Sequence, residues 1–133
     1  MGTVSVRYIV DDVDAAIDFY TRHFGFGVDM HPAPTFAAVS RGDLRLLLSV
    51  PTGPGGGAAP ALDGRRPEPG GWNRIQIEVD DLSATVDALR AEGLTFRTDI
   101  VIGRGGNQIV LDDPAGNALE LFEPAPADGR TQG

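Results

Sequence analysis

Two stretches of the sequence decide the fold: VSVRYIVDDV, residues 4–13, and NRIQIEVDDL, residues 73–82. In both, side chains alternate in type along a short run that closes with Val-Asp-Asp. Period-two alternation is typical of a strand with one buried face. Asp12 and Asp81 then precede apolar residues at helical spacing, as helix N-caps do. The chain therefore begins the same strand-to-helix unit twice.

The segments after the two helices also repeat. Gly25 and Gly93 are placed to end the helices, and three strand-like runs follow each of them: 26–31, 35–41 and 44–50 in the first copy, 94–101, 106–112 and 117–123 in the second. This order predicts an α+β fold of two tandem βαβββ modules that form a curved mixed sheet around a cleft. We expect one domain over 1–124, with module 1 at 4–50 and module 2 at 72–124.

Between the modules lies PTGPGGGAAPALDGRRPEPGG, residues 51–71, which is rich in Pro and Gly. This composition predicts that the segment lacks regular structure. A loop of this length in a compact domain is usually functional or disordered, so both a lid over the cleft and a plain linker stay open. Residues 125–133 are predicted to be a disordered tail.

Composition excludes several classes of protein. The 133 residues include no cysteine, so disulfides, thiolate metal sites and cysteine nucleophiles are excluded. A net charge of −8 argues against nucleic acid as a partner, because nucleic-acid binders usually present a basic face. No window approaches the roughly 20 apolar residues that span a bilayer. We expect a soluble, cytoplasmic protein without a membrane partner.

Three features together resemble a known family. They are the paired βαβββ modules, a first helix that ends in FYTRHFGF, and the closing motif DPAGNALELFEP at 113–124. Over residues 4–124 the chain resembles the vicinal oxygen chelate superfamily, which holds glyoxalase I, extradiol dioxygenases, fosfomycin-resistance enzymes and bleomycin-resistance proteins. Metal-using branches place ligands at the head of each module's first strand, usually His, and on each last strand, usually Glu.

At the four positions that this resemblance marks for metal ligands, the chain carries Ser5, Leu47, Arg74 and Glu120. Arg repels a cation, and a catalytic divalent metal needs about three protein ligands. The resemblance therefore implies no metal and no cofactor. In character the chain is closest to the metal-free, drug-binding branch of bleomycin-resistance proteins.

Strand alternation also predicts which side chains line the cleft. Trp72, directly after the Pro/Gly-rich segment, is a candidate for stacking on a flat ligand, and an Arg74–Glu120 pair would take the place of the metal. The predicted ligand-binding residues are Ser5, Arg7, Phe36, Arg45, Leu47, Ser49, Trp72, Arg74, Gln76, Glu120 and Phe122.

These residues favour a non-enzymatic protein that sequesters a bulky, partly aromatic natural product, as in antibiotic self-resistance. The expected partners are an aromatic or polycyclic antibiotic and, by the resemblance, a second copy of the chain in a homodimer. The alternative is an enzyme acting on a small-molecule or biosynthetic intermediate. It would be either a metal-dependent lyase, isomerase or dioxygenase, or a metal-free enzyme with Glu120, or else Glu78, as its base. A module that binds a small metabolite or a protein partner is a third possibility.

Overall fold

The computed structural model describes residues 3–52 and 56–126, which form two compact units. Unit 1 comprises the chain as far as Gly71 together with Pro114–Asn117. Unit 2 comprises Trp72–Asp113 and the chain from Ala118 onward. The turn that precedes the last strand thus belongs to unit 1. The module ranges 4–50 and 72–124 stay predictions.

Unit 1 has the predicted order of one strand, one helix and three strands. Its sheet has the order β1-β4-β3-β2, in which β1 is parallel to β4 while β3 is antiparallel to both its neighbours. The elements are β1 (Ser5–Ile9), α1 (Val13–Phe24), β2 (Gly27–Ala33), β3 (Phe36–Arg41) and β4 (Leu44–Ser49). β2 extends past the predicted end because it is an irregular edge strand, which tolerates Pro32.

Unit 2 repeats this topology with the sheet order β5-β8-β7-β6. β5 is parallel to β8, and β7 is antiparallel to β8 and β6. The elements are β5 (Ile75–Glu78), α2 (Leu82–Ala91), β6 (Val101–Ile102), β7 (Gly106–Asp112) and β8 (Ala118–Pro124). The α+β class and the two βαβββ modules are confirmed, as two four-stranded mixed sheets.

The predicted strand at 94–101 is mostly absent, since β6 covers only Val101–Ile102. Upstream of β6, the pairing consists of a single bridge between Phe96 and Leu111. Continuing that register would pair Val101 with Gly106, but Val101 pairs with Gln108 instead. Two extra residues between 96 and 101 therefore interrupt the ladder, as a β-bulge does.

The repeated Asp residues cap the helices as predicted. Ala15 N donates to Asp12 Oδ1, and Ala84 N donates to Asp81 Oδ1, both at 3.0 Å. α1 ends at Gly25, whose φ of 71° is a left-handed conformation that glycine adopts without strain. The two Val-Asp-Asp sequences therefore mark the same strand-to-helix joint in each unit.

Each sheet has one apolar face that belongs to the core. The buried apolar side chains alternate along the strands, as the period-two pattern predicts. In unit 1 they include Tyr8, Val10, Val39, Leu46 and Leu48, and in unit 2 Ile75, Ile77, Ile109, Leu111, Leu119 and Leu121. The opposite face of each sheet carries most of the predicted site residues and is called its polar face below.

The segment 51–71 has little regular structure, as predicted, apart from one 3-10 turn at Gly56–Ala58. Around Asp63 the chain folds back, because Ala61 N donates to Arg65 O at 2.8 Å. The backbone N–H and the guanidinium of Arg65 both donate to the Asp63 carboxyl. Both lower the pKa of that carboxyl, and the backbone donor has the larger effect. Residues 53–55, and 127–133 of the predicted tail, lie outside the described residues.

Asn117, from the closing motif, is a structural residue of unit 1. It is 4% exposed. Its amide donates to Ile9 O at 2.7 Å, and its Oδ1 accepts from Gly70 N at 2.9 Å. It therefore ties the end of β1 to the end of the Pro/Gly-rich segment. None of the helices in the described ranges is long and apolar enough to cross a bilayer.

Candidate functional site

A buried carboxylate lies at the centre of the polar face of unit 2. Glu120 is 7% exposed and lies on β8 directly opposite Gln76 of β5. Arg74 Nε donates to Glu120 Oε1 at 2.9 Å, and Gln76 Nε2 donates to Glu120 Oε2 at 2.7 Å. Both carboxylate oxygens thus have a hydrogen-bond donor, one of them a cation, as a buried carboxylate requires.

Arg74 is also held from its other side, since its Nη1 donates to the backbone oxygen of Trp72 at 3.2 Å. Its side chain is 26% exposed, compared with 9% for that of Glu120. The guanidinium therefore has an edge that reaches solvent, with donors to spare for a ligand. The pair predicted from the family's metal positions is present in this geometry.

Trp72 is an exposed aromatic surface with one face already covered. The residue is 63% exposed. The guanidinium carbon of Arg97 lies 4.6 Å from the centre of its ring, within the range of a cation–π contact. Arg97 Nε in turn donates to Asp112 Oδ1 at 2.6 Å. This chain of contacts fixes the indole on one side and leaves the rest of its surface to water.

Sequence reasoning did not identify Arg97 or Asp112. Asp112 carried a usable signal, because the alternation along β7 puts it on the same face as Val110, the cross-strand partner of Glu120. It was placed in the predicted strand 106–112, but its side chain was not counted among the site residues. Arg97 carried no such signal, since it lies where the strand ladder is interrupted and its partner Trp72 is distant in sequence.

Two further side chains complete this face. Phe122 packs over Gly106, where a Cβ would come within 2.7 Å of the ring, so part of its surface is already used in the fold. Glu78, opposite Phe122 on β5, is exposed. Among the described residues Glu78 has no ion-pair or hydrogen-bond partner, unlike Glu120 and Asp112.

The polar face of unit 1 has a different composition. Arg7, which is exposed, donates from Nη1 to Ser49 Oγ at 2.5 Å. The turn at Gly56–Ala58 lies against this pair, because a Cβ on Gly57 would overlap the Arg7 guanidinium and come within 2.8 Å of Ser49 Oγ. Ser49 is 4% exposed. Part of the Pro/Gly-rich segment thus covers this face.

Leu47 and Arg45 lie at the centre of that face, on β4. Leu47 is opposite Arg7, as Glu120 is opposite Gln76 in unit 2, so the two positions correspond. Arg45 is opposite Ser5 on β1. Its Nε is buried and has no acceptor among the described residues. Phe36 of β3, half-buried, is opposite Ser49 on the same face.

The predicted residues are therefore distributed over two faces. Unit 1 brings together Ser5, Arg7, Phe36, Arg45, Leu47 and Ser49, whereas unit 2 brings together Trp72, Arg74, Gln76, Glu120 and Phe122. Their role in ligand binding stays a prediction.

The residues at the family's metal positions do not fit a divalent cation. Of Ser5, Leu47, Arg74 and Glu120, only Glu120 offers a charged oxygen, and the guanidinium of Arg74 is already bonded to it. A fixed positive charge at that place repels a second cation. In residues 3–52 and 56–126, no three His, Cys, Asp or Glu side chains are grouped as a metal ion would need.

Comparison with known proteins places this geometry in a family. Residues 2–121 match the model of the Glyoxalase/Bleomycin resistance protein/Dioxygenase superfamily. The putative glyoxylase CFP32 of Mycobacterium bovis is 29% identical over 119 residues, which are 84% of this chain and 41% of that protein. The chain thus spans less than half the length of this curated relative.

Two solved structures show the same fold. Lactoylglutathione lyase from Agrobacterium tumefaciens has a TM-score of 0.69 at 23% identity, with 92% of each chain covered. TnmS3, an antibiotic binding protein from Streptomyces sp. CB03234, has a TM-score of 0.69 at 23% identity, with 94% of this chain and 97% of that chain covered. The chain belongs to the Glyoxalase/Bleomycin resistance protein/Dioxygenase superfamily.

Proposed function

We propose that this protein binds and sequesters a bulky, partly aromatic natural product without transforming it, as in antibiotic self-resistance. The observation that carries this proposal is the environment of Glu120. Both its oxygens accept hydrogen bonds, from Arg74 and from Gln76, in a buried place. Taking a proton from a substrate would remove the negative charge that strengthens the bond between Glu120 and Arg74. This carboxylate is better suited to fixing Arg74 than to acid–base chemistry.

Trp72 supports an aromatic ligand. A large exposed indole that is held on one side by Arg97 offers a rigid, flat apolar surface. The free edge of Arg74 lies nearby, because its Nη1 donates to the backbone of Trp72. A quinone or phenol that stacks on Trp72 would find a hydrogen-bond donor for its oxygen within the same face.

The comparison with TnmS3 supports the same class of function, since that protein of similar fold is an antibiotic binding protein. The resemblance to bleomycin-resistance proteins further supports a homodimer as the working form. The proposal therefore includes two copies of the chain and a cytoplasmic site of action.

Ligand binding is tested by thermal unfolding with 1,8-dihydroxyanthraquinone as the probe and 1-decalone as a non-aromatic control. A ligand at about a hundred times its Kd adds about 2.7 kcal/mol to the free energy of unfolding. For a chain of this size we expect Tm to rise by roughly 5–10 °C. Trp72→Leu should weaken binding up to about tenfold, whereas Ile102→Ala, at an exposed apolar residue on β6, should not. If anthraquinones and other flat antibiotics all leave Tm unchanged, sequestration is wrong.

A metal-free enzyme is the second candidate, and Glu78 favours it, as an exposed carboxylate without a partner among the described residues. The same incubations, followed by mass spectrometry of the recovered probe, separate the two functions. Unchanged probe supports sequestration. Conversion that Glu78→Gln abolishes and Glu120→Gln leaves intact would instead establish Glu78 as a base. A stoichiometric divalent metal that survives dialysis would contradict both.

A further inference from the structure

The two polar faces differ in charge. In unit 2, Arg74 is paired with Glu120 and Arg97 with Asp112. In unit 1, Arg7 and Arg45 lie on neighbouring strands, and no described carboxylate oxygen comes within 4.0 Å of either guanidinium. Leu47, at the position that corresponds to Glu120, is directly opposite Arg7 and two residues along β4 from Arg45. This face therefore holds two positive charges without the carboxylate that balances its counterpart.

Arg45 is the more informative of the two. Its Nε is buried, yet no described residue supplies an acceptor for it. One cross-strand neighbour, Ser40, already donates its hydroxyl to Asp29 Oδ1 at 2.9 Å. Buried donors are nearly always satisfied in folded proteins. An N–H that is both buried and without a partner in residues 3–52 and 56–126 is therefore placed to receive an acceptor from outside the chain.

The surroundings of this pair indicate the kind of acceptor. Leu47 is next to both arginines in the register, and Ile9 and Phe36 are opposite Ser49 on either side of β4. Gly57 approaches Arg7 closely without a side chain of its own. The face thus combines two guanidinium groups with an apolar floor, which suits an anion attached to an apolar ring.

We infer that Arg45 and Arg7 on the polar face of unit 1 bind the carboxylate of an aromatic ligand. A planar carboxylate matches the fork of guanidinium N–H groups, and its ring would lie on Leu47. The inference rests on the proposed function, which supplies the aromatic ligand. It adds that the recognised group is negatively charged and that the polar face of unit 1 recognises it.

The test uses the full-length 15N-labelled protein and follows the Nε–Hε signals of its arginines by NMR. Sodium benzoate is titrated at constant ionic strength, with benzamide as the neutral control of the same shape. The signals of Arg45 and Arg7 should shift saturably with benzoate and stay fixed with benzamide. Arg22, an exposed arginine of α1, should not respond to either compound. Benzoate shifts that are equal in all arginines, or absent from Arg45, would overturn the inference and leave only bound water as the partner of its Nε.

Variants give a second readout. Arg45→Met should weaken benzoate binding at least tenfold by calorimetry, whereas Arg22→Met should not. If Arg45→Met fails to fold, Arg45→Lys tests the same point, since it keeps the charge but removes the Nε donor. If Arg45→Lys binds benzoate with the same Kd as the natural chain, Nε has no role in binding. The benzoate result is independent of the anthraquinone experiment, because the two experiments use different ligands. If anthraquinone binds and benzoate does not, the carboxylate site is wrong and the proposed function stands.

Discussion

Arg74 Nε and Glu120 Oε1 lie 2.9 Å apart, between two strands of unit 2 that are parallel neighbours. Its two residues stand at two of the four positions that the resemblance marks for metal ligands. Its energetic role follows from burial, since a carboxylate that is 7% exposed depends on its donors.

Arg74→Met is expected to destabilise the protein by about 2 kcal/mol, because it leaves the buried Glu120 carboxylate without its cation. Arg74→Met combined with Glu120→Met should recover most of the loss, since an apolar pair needs no partner charge. Urea unfolding followed by circular dichroism measures the free energy of unfolding of both variants and of the unaltered protein. Arg22→Met is the matched control, because its pair with Asp18 is exposed and should contribute below about 0.5 kcal/mol. Equal losses for Arg74→Met and Arg22→Met would show that the buried pair has no special role.

The helix caps make a second prediction. Asp12→Ala and Asp81→Ala should each lower the free energy of unfolding by about 1 kcal/mol, because each removes an acceptor for a helix N–H. Asp12→Asn and Asp81→Asn should cost much less, since Asn caps as well as Asp. Asp87→Ala, in the middle of α2, controls for the loss of a carboxylate. If Asn proves as damaging as Ala at these positions, charge and not capping would be the cause.

Gly57→Ala tests the cover on unit 1. The new Cβ would overlap the Arg7 guanidinium, whose far end can move aside. We therefore expect a stability loss below about 1 kcal/mol, together with a shift of the Arg7 Nε–Hε signal as its bond to Ser49 is lost. Gly27→Ala, where a Cβ meets no atom within 4 Å, is the control. An unchanged Arg7 signal would mean that the turn does not lie against this face in solution.

Asp63 should titrate below the ordinary range of an aspartate, because the backbone N–H and then the guanidinium of Arg65 lower its pKa. Arg65→Ala should raise this pKa only partly, since the backbone donor remains. A pKa lowered by folding stabilises the folded turn above the ordinary aspartate value, and this contribution is lost as pH falls through the lowered one. NMR titration of the Asp63 carboxyl measures it. A titration in the ordinary range would show that the turn is open in solution.

The fold was predictable because local signals agree with each other. Alternation, Asp caps and a terminating glycine all indicate the same elements, and they do so twice. β6 was not predictable, since the register shift after Phe96 depends on how the segment meets β7. The Arg74–Glu120 pair followed from the resemblance. The contact of Arg97 with Trp72 did not, because no local pattern connects an irregular segment with the end of a Pro/Gly-rich one.

The parallel pairing of β5 with β8 affects how the chain can be made. β5 lies at the edge of its sheet, and its neighbour β8 is the last strand of the unit. Arg74 is therefore synthesised 46 residues before Glu120, its partner. Pairing over such a separation is slow to form, so a nascent chain exposes an unpaired edge until β8 has been synthesised. A chain truncated before Ala118 has every strand of unit 2 except β8, which is the strand that joins β5 to β7.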